Sequence, residues 1–172
     1  WAAIGATTPA VSLPSGIRLS YSINQWEKRE TIAGKGCWLP YIANSLERVY
    51  TLAGGFNRKV LTSNTYNNNY GNLDNMVVRI YAADGSSAVA TQTTNNVYSD
   101  NISLWHLGRL TSSTVTHARS GKNAISRYSA FAYDATTGIL NRETSEAGNA
   151  QLEVVTSYQL DNFGNRTSSS VK

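Results

Sequence analysis

Period-two alternation is the clearest order in this chain. Ile17, Leu19, Tyr21 and Ile23 alternate with Arg18, Ser20 and Ser22. Leu152, Val154, Thr156, Tyr158 and Leu160 alternate in the same way with Gln151, Glu153, Ser157 and Gln159. An extended strand puts the apolar members of such a series on one face, whereas a helix would scatter them. Both segments predict half-buried β-strands. Turn chemistry adds a hairpin: Asp84-Gly85 lies between Met76–Ala83 and Ser86–Thr94, and Asp-Gly suits the positive φ angles of a two-residue turn. Closure there would oppose Ile80 to Val89 and Tyr81 to Ala88. The expected fold class is all-β, built from antiparallel β-hairpin repeats.

Composition agrees with that expectation and removes several functions. Hydrophobic residues make up 41% of the 172 residues, enough for one domain with a core, while charged residues are only 15%, against about a quarter in ordinary globular chains. Ser, Thr and Asn take their place, and with ten Tyr they suit strands and turns better than helices. The net charge of +4 comes from cations spread between Arg18 and Lys172. No Lys/Arg run marks a nucleic-acid interface. No stretch has the length of an apolar membrane span, and no signal peptide is visible. Cys37 is the only cysteine, so an intrachain disulfide is impossible. The chain begins at Trp1 and ends at Lys172 within a Ser-rich strand pattern, and it reads as a piece of something longer.

The first 44 residues differ in texture, holding all three prolines (Pro9, Pro14, Pro40) and three of the four tryptophans. A boundary near Asn44 is expected, with residues 1–44 an arm of unassigned role and residues 45–172 a degenerate repeat region. Four segments of the latter share an aromatic or acidic residue, a glycine and a Thr/Ser-rich extended tail. They are Tyr66–Leu73 with Gly71, Tyr98–Thr111 with Gly108, Tyr133–Asn141 with Gly138, and Tyr158–Thr167 with Gly164. The glycines are 37, 30 and 26 residues apart, so the repeat is irregular. In such a unit the aromatic ends a strand, an Asp or Asn cups the turn, and glycine supplies an angle that other residues resist. One hairpin cannot bury its own apolar face, so its stability must come from its neighbours.

At these residues the sequence resembles the YD-repeat proteins, which include bacterial Rhs proteins, the C components of insecticidal toxin complexes and, more distantly, teneurins. FAYDATTGILNRET (Phe131–Thr144) is close to the tyrosine-aspartate repeat, with Tyr133 and Asp134 as the dyad and Gly138 as its glycine. Val97–Thr116 looks like a segment of bacterial members, matching at Trp105, Leu107, Gly108, Arg109, Leu110 and Thr111. The fourth unit departs at the dyad, where Leu160 precedes Asp161, and in the first unit Asn67-Asn68 replaces it. The resemblance covers Leu46 to Lys172. It implies a non-enzymatic segment of a spiralling β-sheet shell that encloses or presents a toxin or other cargo. It also implies other YD-repeat segments as partners and a secreted, extracellular or cell-surface location in a bacterium. The family's Asp-Pro-centred self-cleavage motif is absent from these residues.

A search for chemistry finds little. His106, near Asp100 and Arg109, has no nucleophile at a recognisable spacing, and His117 sits between Thr116 and Ala118 without one. No HExxH, Cys-x-x-Cys or His-x-His occurs. Asn67, Asn68 and Asn69, and Asp161-Asn162 with Asn165, are better read as turn caps than as calcium ligands. Gly34-Lys35-Gly36 lacks the context of a phosphate loop. The eleven carboxylates form no close pair on one strand face. No catalytic, cofactor or metal residues are expected. The rival to the shell is a secreted carbohydrate- or surface-binding β-domain, with Trp26, Trp38 and Trp105 as stacking platforms for a glycan. Core aromatics are the simpler expectation; exposed indoles along one face would reverse it.

Overall fold

The computed structural model describes residues 16, 18–32, 34–67, 70–83 and 86–172. Their regular structure consists of ten strands and no helix: β1 (Ser20–Ile32), β2 (Cys37–Tyr50), β3 (Phe56–Tyr66), β4 (Leu73–Tyr81), β5 (Ala88–Asn101), β6 (His106–Arg119), β7 (Ile125–Tyr133), β8 (Leu140–Ser145), β9 (Val154–Leu160) and β10 (Arg166–Val171). They form one sheet in sequence order, each strand hydrogen-bonded to its neighbours along the chain. The all-β, antiparallel hairpin architecture expected from the alternation is the architecture of the chain. Asp84 and Gly85 lie outside the described residues; β4 ends at Tyr81 and β5 begins at Ala88 on either side of them.

The chain divides into two compact units, Trp1–Thr93 with His117–Ala124, and Thr94–Thr116 with Ile125–Lys172. In the first unit β1 runs against β2 from Ser20↔Val49 to Ile32↔Cys37, so Asn44 and Ser45 lie in the middle of a strand. Tyr21 and Ile23 are half-buried while Ser22 and Asn24 are exposed, as the alternation predicts, but Leu19, just before the first residue of β1, is exposed and does not share their burial. Ile17 lies outside the described residues. In the second unit β7, β8, β9 and β10 pair successively. Leu152 falls in the turn before β9 and is exposed, Val154 is exposed as well and Ser157 is half-buried, so the predicted alternation holds only at Thr156, Tyr158 and Leu160 against Gln159.

Burial is where the chain departs from an ordinary domain. Among the described residues only Ala43, Leu46 and Thr144 are buried. Most positions of β4 and β6 are half-buried whichever face they occupy. A sheet in a two-layer domain seals one face against a partner layer and leaves the other wet. No position of β4 or β6 is buried, so neither face of these strands is sealed. A side chain that keeps half its surface in water gains about half of the ~1.5–3 kcal/mol available from full burial. Cohesion therefore rests more on ladders, cross-strand pairs and turns. Two such contacts are the Tyr50 ring lying 6.2 Å from Tyr21 and 6.0 Å from Phe56.

Candidate functional site

All four repeat glycines lie in or beside hairpin turns. Gly71 joins β3 to β4, Gly138 joins β7 to β8, Gly164 joins β9 to β10, and Gly108 stands two residues into β6, just past the β5–β6 turn. Each has a positive φ, of 74°, 71°, 84° and 63° respectively, which glycine adopts without the steric penalty that a side chain brings. An Asn or Asp side chain closes every one of these turns. Asn67 Oδ1 accepts from the Tyr70 and Gly71 amides at 3.0 and 3.1 Å. Asp134 Oδ1 accepts from Thr136 and Thr137 at 3.0 and 2.7 Å. Asp161 Oδ1 accepts from Phe163 and Asn165, both at 2.8 Å. In the remaining turn Asp100 takes the Gly108 amide at 2.6 Å and Asn101 takes that of Leu104 at 3.1 Å.

These bonds stabilise the ionised form of two carboxylates. Asp134 is held below the ordinary aspartate range chiefly by the Thr137 amide and hydroxyl, and Asp161 chiefly by the Asn165 side chain and amide. Structural turn-capping explains both shifts; neither carboxylate has the environment of a general acid.

The aromatics of the units are placed less uniformly. Tyr66 and Tyr133 end β3 and β7, whereas Tyr98 and Tyr158 lie a few residues inside β5 and β9. Tyr133 donates to the Leu110 carbonyl at 2.9 Å and lies under the Arg109 guanidinium at 5.2 Å. Burial pushes its hydroxyl pKa up. Tyr158 donates to Glu143 at 2.9 Å and carries Arg166 over its ring at 3.6 Å. Cation–ring contacts of this kind contribute ~0.5–1 kcal/mol at exposed sites.

A second regularity was not read from the sequence. Three of the glycines are covered by the residue that enters the sheet after the preceding turn on the same side of the meander. Leu39 Cδ2 lies against Gly71, and Ile139 Cδ1 lies against Gly164. The His106 ring lies over Gly138, where an added Cβ would meet its atoms at 2.7–2.9 Å. His106 is thus a packing residue, half-buried, while His117 is exposed.

The tryptophans correct an expectation. Trp26, Trp38 and Trp105 are 62%, 51% and 77% exposed, so none of them is a core residue. Trp105 occupies the β5–β6 turn with φ of 56°. Trp26 opposes Ile42 and Trp38 opposes Glu30 across the β1–β2 ladder, a register that puts both indoles on one face. Lys28 Nζ covers the Trp38 ring at 4.4 Å, leaving Trp26 the more open of the two.

Among the described residues no cluster of three His, Cys, Asp or Glu suits a metal ion, and no helix is long and apolar enough to cross a membrane. The sequence matches no protein-family model, and no curated protein matches it.

Proposed function

We propose that this chain is a non-enzymatic wall segment of a YD-repeat shell, a secreted scaffold that encloses or presents a toxin or other cargo. The observation that carries this reading is the seating of successive turns. His106, just past one turn, caps the glycine of the next, and Ile139, just past that turn, caps Gly164. A hairpin fixed in this way depends on the hairpin before it, the coupling that lets repeat proteins extend by stacking. The half-buried faces agree with a wall: strands that seal no core of their own suit a surface meant to be lined and backed by more of the same assembly. Its partners would be other YD-repeat segments and the enclosed cargo.

The test is the coding sequence on both sides of these residues. Further Asx–glycine hairpin units followed by a variable C-terminal domain are expected. A solitary gene limited to these 172 residues would overturn the proposal.

A further inference from the structure

Turns at the glycine end of the second unit hold large apolar side chains out in solvent. Between β5 and β6 the tip reads Ile102-Ser103-Leu104-Trp105, and its three apolar members are exposed. Between β9 and β10 Phe163, immediately before Gly164, is 90% exposed. The β7–β8 turn that separates them exposes only Ala135, Thr136 and Thr137. Alternate turns of a meander fall at the same end of the strands. His106 on Gly138 and Ile139 on Gly164 tie each of these turns to the next. Four strand spacings separate the two apolar tips, roughly 19 Å.

Both tips satisfy polar groups from within. In the first, the Leu104 amide and the Ser103 hydroxyl donate to Asn101 Oδ1 at 3.1 and 2.7 Å, and the Trp105 amide donates to the Ile102 carbonyl at 3.2 Å. In the second, the Phe163 and Asn165 amides donate to Asp161 Oδ1, both at 2.8 Å, and the Gly164 amide donates to the Asp161 carbonyl at 3.1 Å. No Asp, Glu, Lys or Arg lies between Asp100 and Arg109, or between Asp161 and Arg166. Trp105 keeps its place at a φ of 56°, an angle that bulky side chains rarely adopt. Strain of that kind gathers where a site needs a side chain held in one direction.

We infer that these two hairpin tips dip into the interface of a lipid bilayer with zwitterionic headgroups, Ile102, Leu104 and Trp105 from one turn and Phe163 from the other. Leaving water is favourable for each of these side chains, and an indole suits the boundary between hydrocarbon and headgroups. Backbone groups already bonded within a turn can enter that boundary without the cost of an orphaned amide. A stable protein partner would need a continuous surface of about 800 Å², which two tips divided by a polar turn do not present. A bilayer yields to separate points. Asp100, Asp134 and Asp161 stay at the turn bases, held by backbone amides. Their charges keep the insertion shallow and disfavour anionic headgroups. Neither tip depends on the shell: a wall segment or a free-standing domain would present the same residues.

The test floats the 172-residue chain with phosphatidylcholine vesicles and follows quenching of tryptophan emission by brominated acyl chains. The chain should float to the same extent in low and high salt, with its emission quenched. Trp105→Ala, at an exposed position that leaves the fold intact, should lower the partition coefficient about tenfold and remove most of the quenching; Phe163→Ala should lower it about fivefold. Leu52→Ala takes an exposed apolar residue from the β2–β3 turn of the first unit and should change neither. Absence of flotation would overturn the inference. So would equal losses in the Leu52 and Trp105 variants, or flotation confined to phosphatidylglycerol vesicles and abolished by salt. Self-association without lipid that Trp105→Ala removes would overturn it as well, since the tips would then meet a second copy of the chain.

Discussion

Replacing Gly138 by Ala separates the two demands made on a repeat glycine. Its φ of 71° places any side chain in the left-handed region, at a penalty of about 1–2 kcal/mol, part of which is recovered because Ala narrows the unfolded ensemble. The new Cβ would also meet three atoms of the His106 ring at 2.7–2.9 Å, and overpacking of this kind typically costs ~1–3 kcal/mol. Gly148 isolates the first contribution, since its φ is 85° and an added Cβ meets nothing within 4 Å. Gly148→Ala should therefore lower unfolding free energy by about 1 kcal/mol, and Gly138→Ala by about 2–4 kcal/mol. Urea unfolding followed by far-UV circular dichroism measures both. His106→Ala combined with Gly138→Ala should cost less than the two single changes added together, with a coupling of about 1–3 kcal/mol. Equal costs at Gly138 and Gly148, or a cycle that closes to zero, would refute the claim that the ring is seated on the glycine.

Three further outcomes are expected. Asp134 and Asp161 have depressed pKa values in the folded chain, so their stabilisation is complete above about pH 4 and is lost as pH falls through the lowered values; the double variant Asp134→Asn/Asp161→Asn should show a flatter decline of Tm in acid than the parent. Trp105→Gly should change stability by no more than about 1 kcal/mol, in the stabilising direction, because it relieves a positive φ at an exposed residue, whereas loss of a core Trp costs about 3–5 kcal/mol. The far-UV spectrum of the whole chain should show β-structure with little helix, and a predominantly helical spectrum would overturn the fold.

The strands and turns were largely legible in the sequence because they depend on local chemistry. Tyr21 and Ile23 announce a strand face by spacing alone, and the four aromatic–Asx–glycine units fall at hairpin turns because Asn67, Asp100, Asp134 and Asp161 bond amides three to eight residues further along the chain. What depends on neighbouring hairpins was not legible. Alternation reads identically in a sheet with one sealed face and in one with none, so the aromatics looked like core. The seating of Leu39, His106 and Ile139 on glycines 25 to 32 residues later is set by register between hairpins, which no spacing rule encodes. One limit of pairing did leave a trace: Pro40, which has no amide hydrogen to give a second ladder, lies in the stretch of β2 that pairs with β1 but not with β3.

Fixing each hairpin at its turn leaves strand length unconstrained. β6 has 14 residues and β8 has six, and nothing in the turns requires either number. Two residues inserted into each strand of one hairpin would keep every side chain on its own face and extend only the end remote from the turn. The end of each hairpin remote from its glycine can therefore be lengthened or shortened one hairpin at a time, a freedom that a chain with a sealed interior lacks.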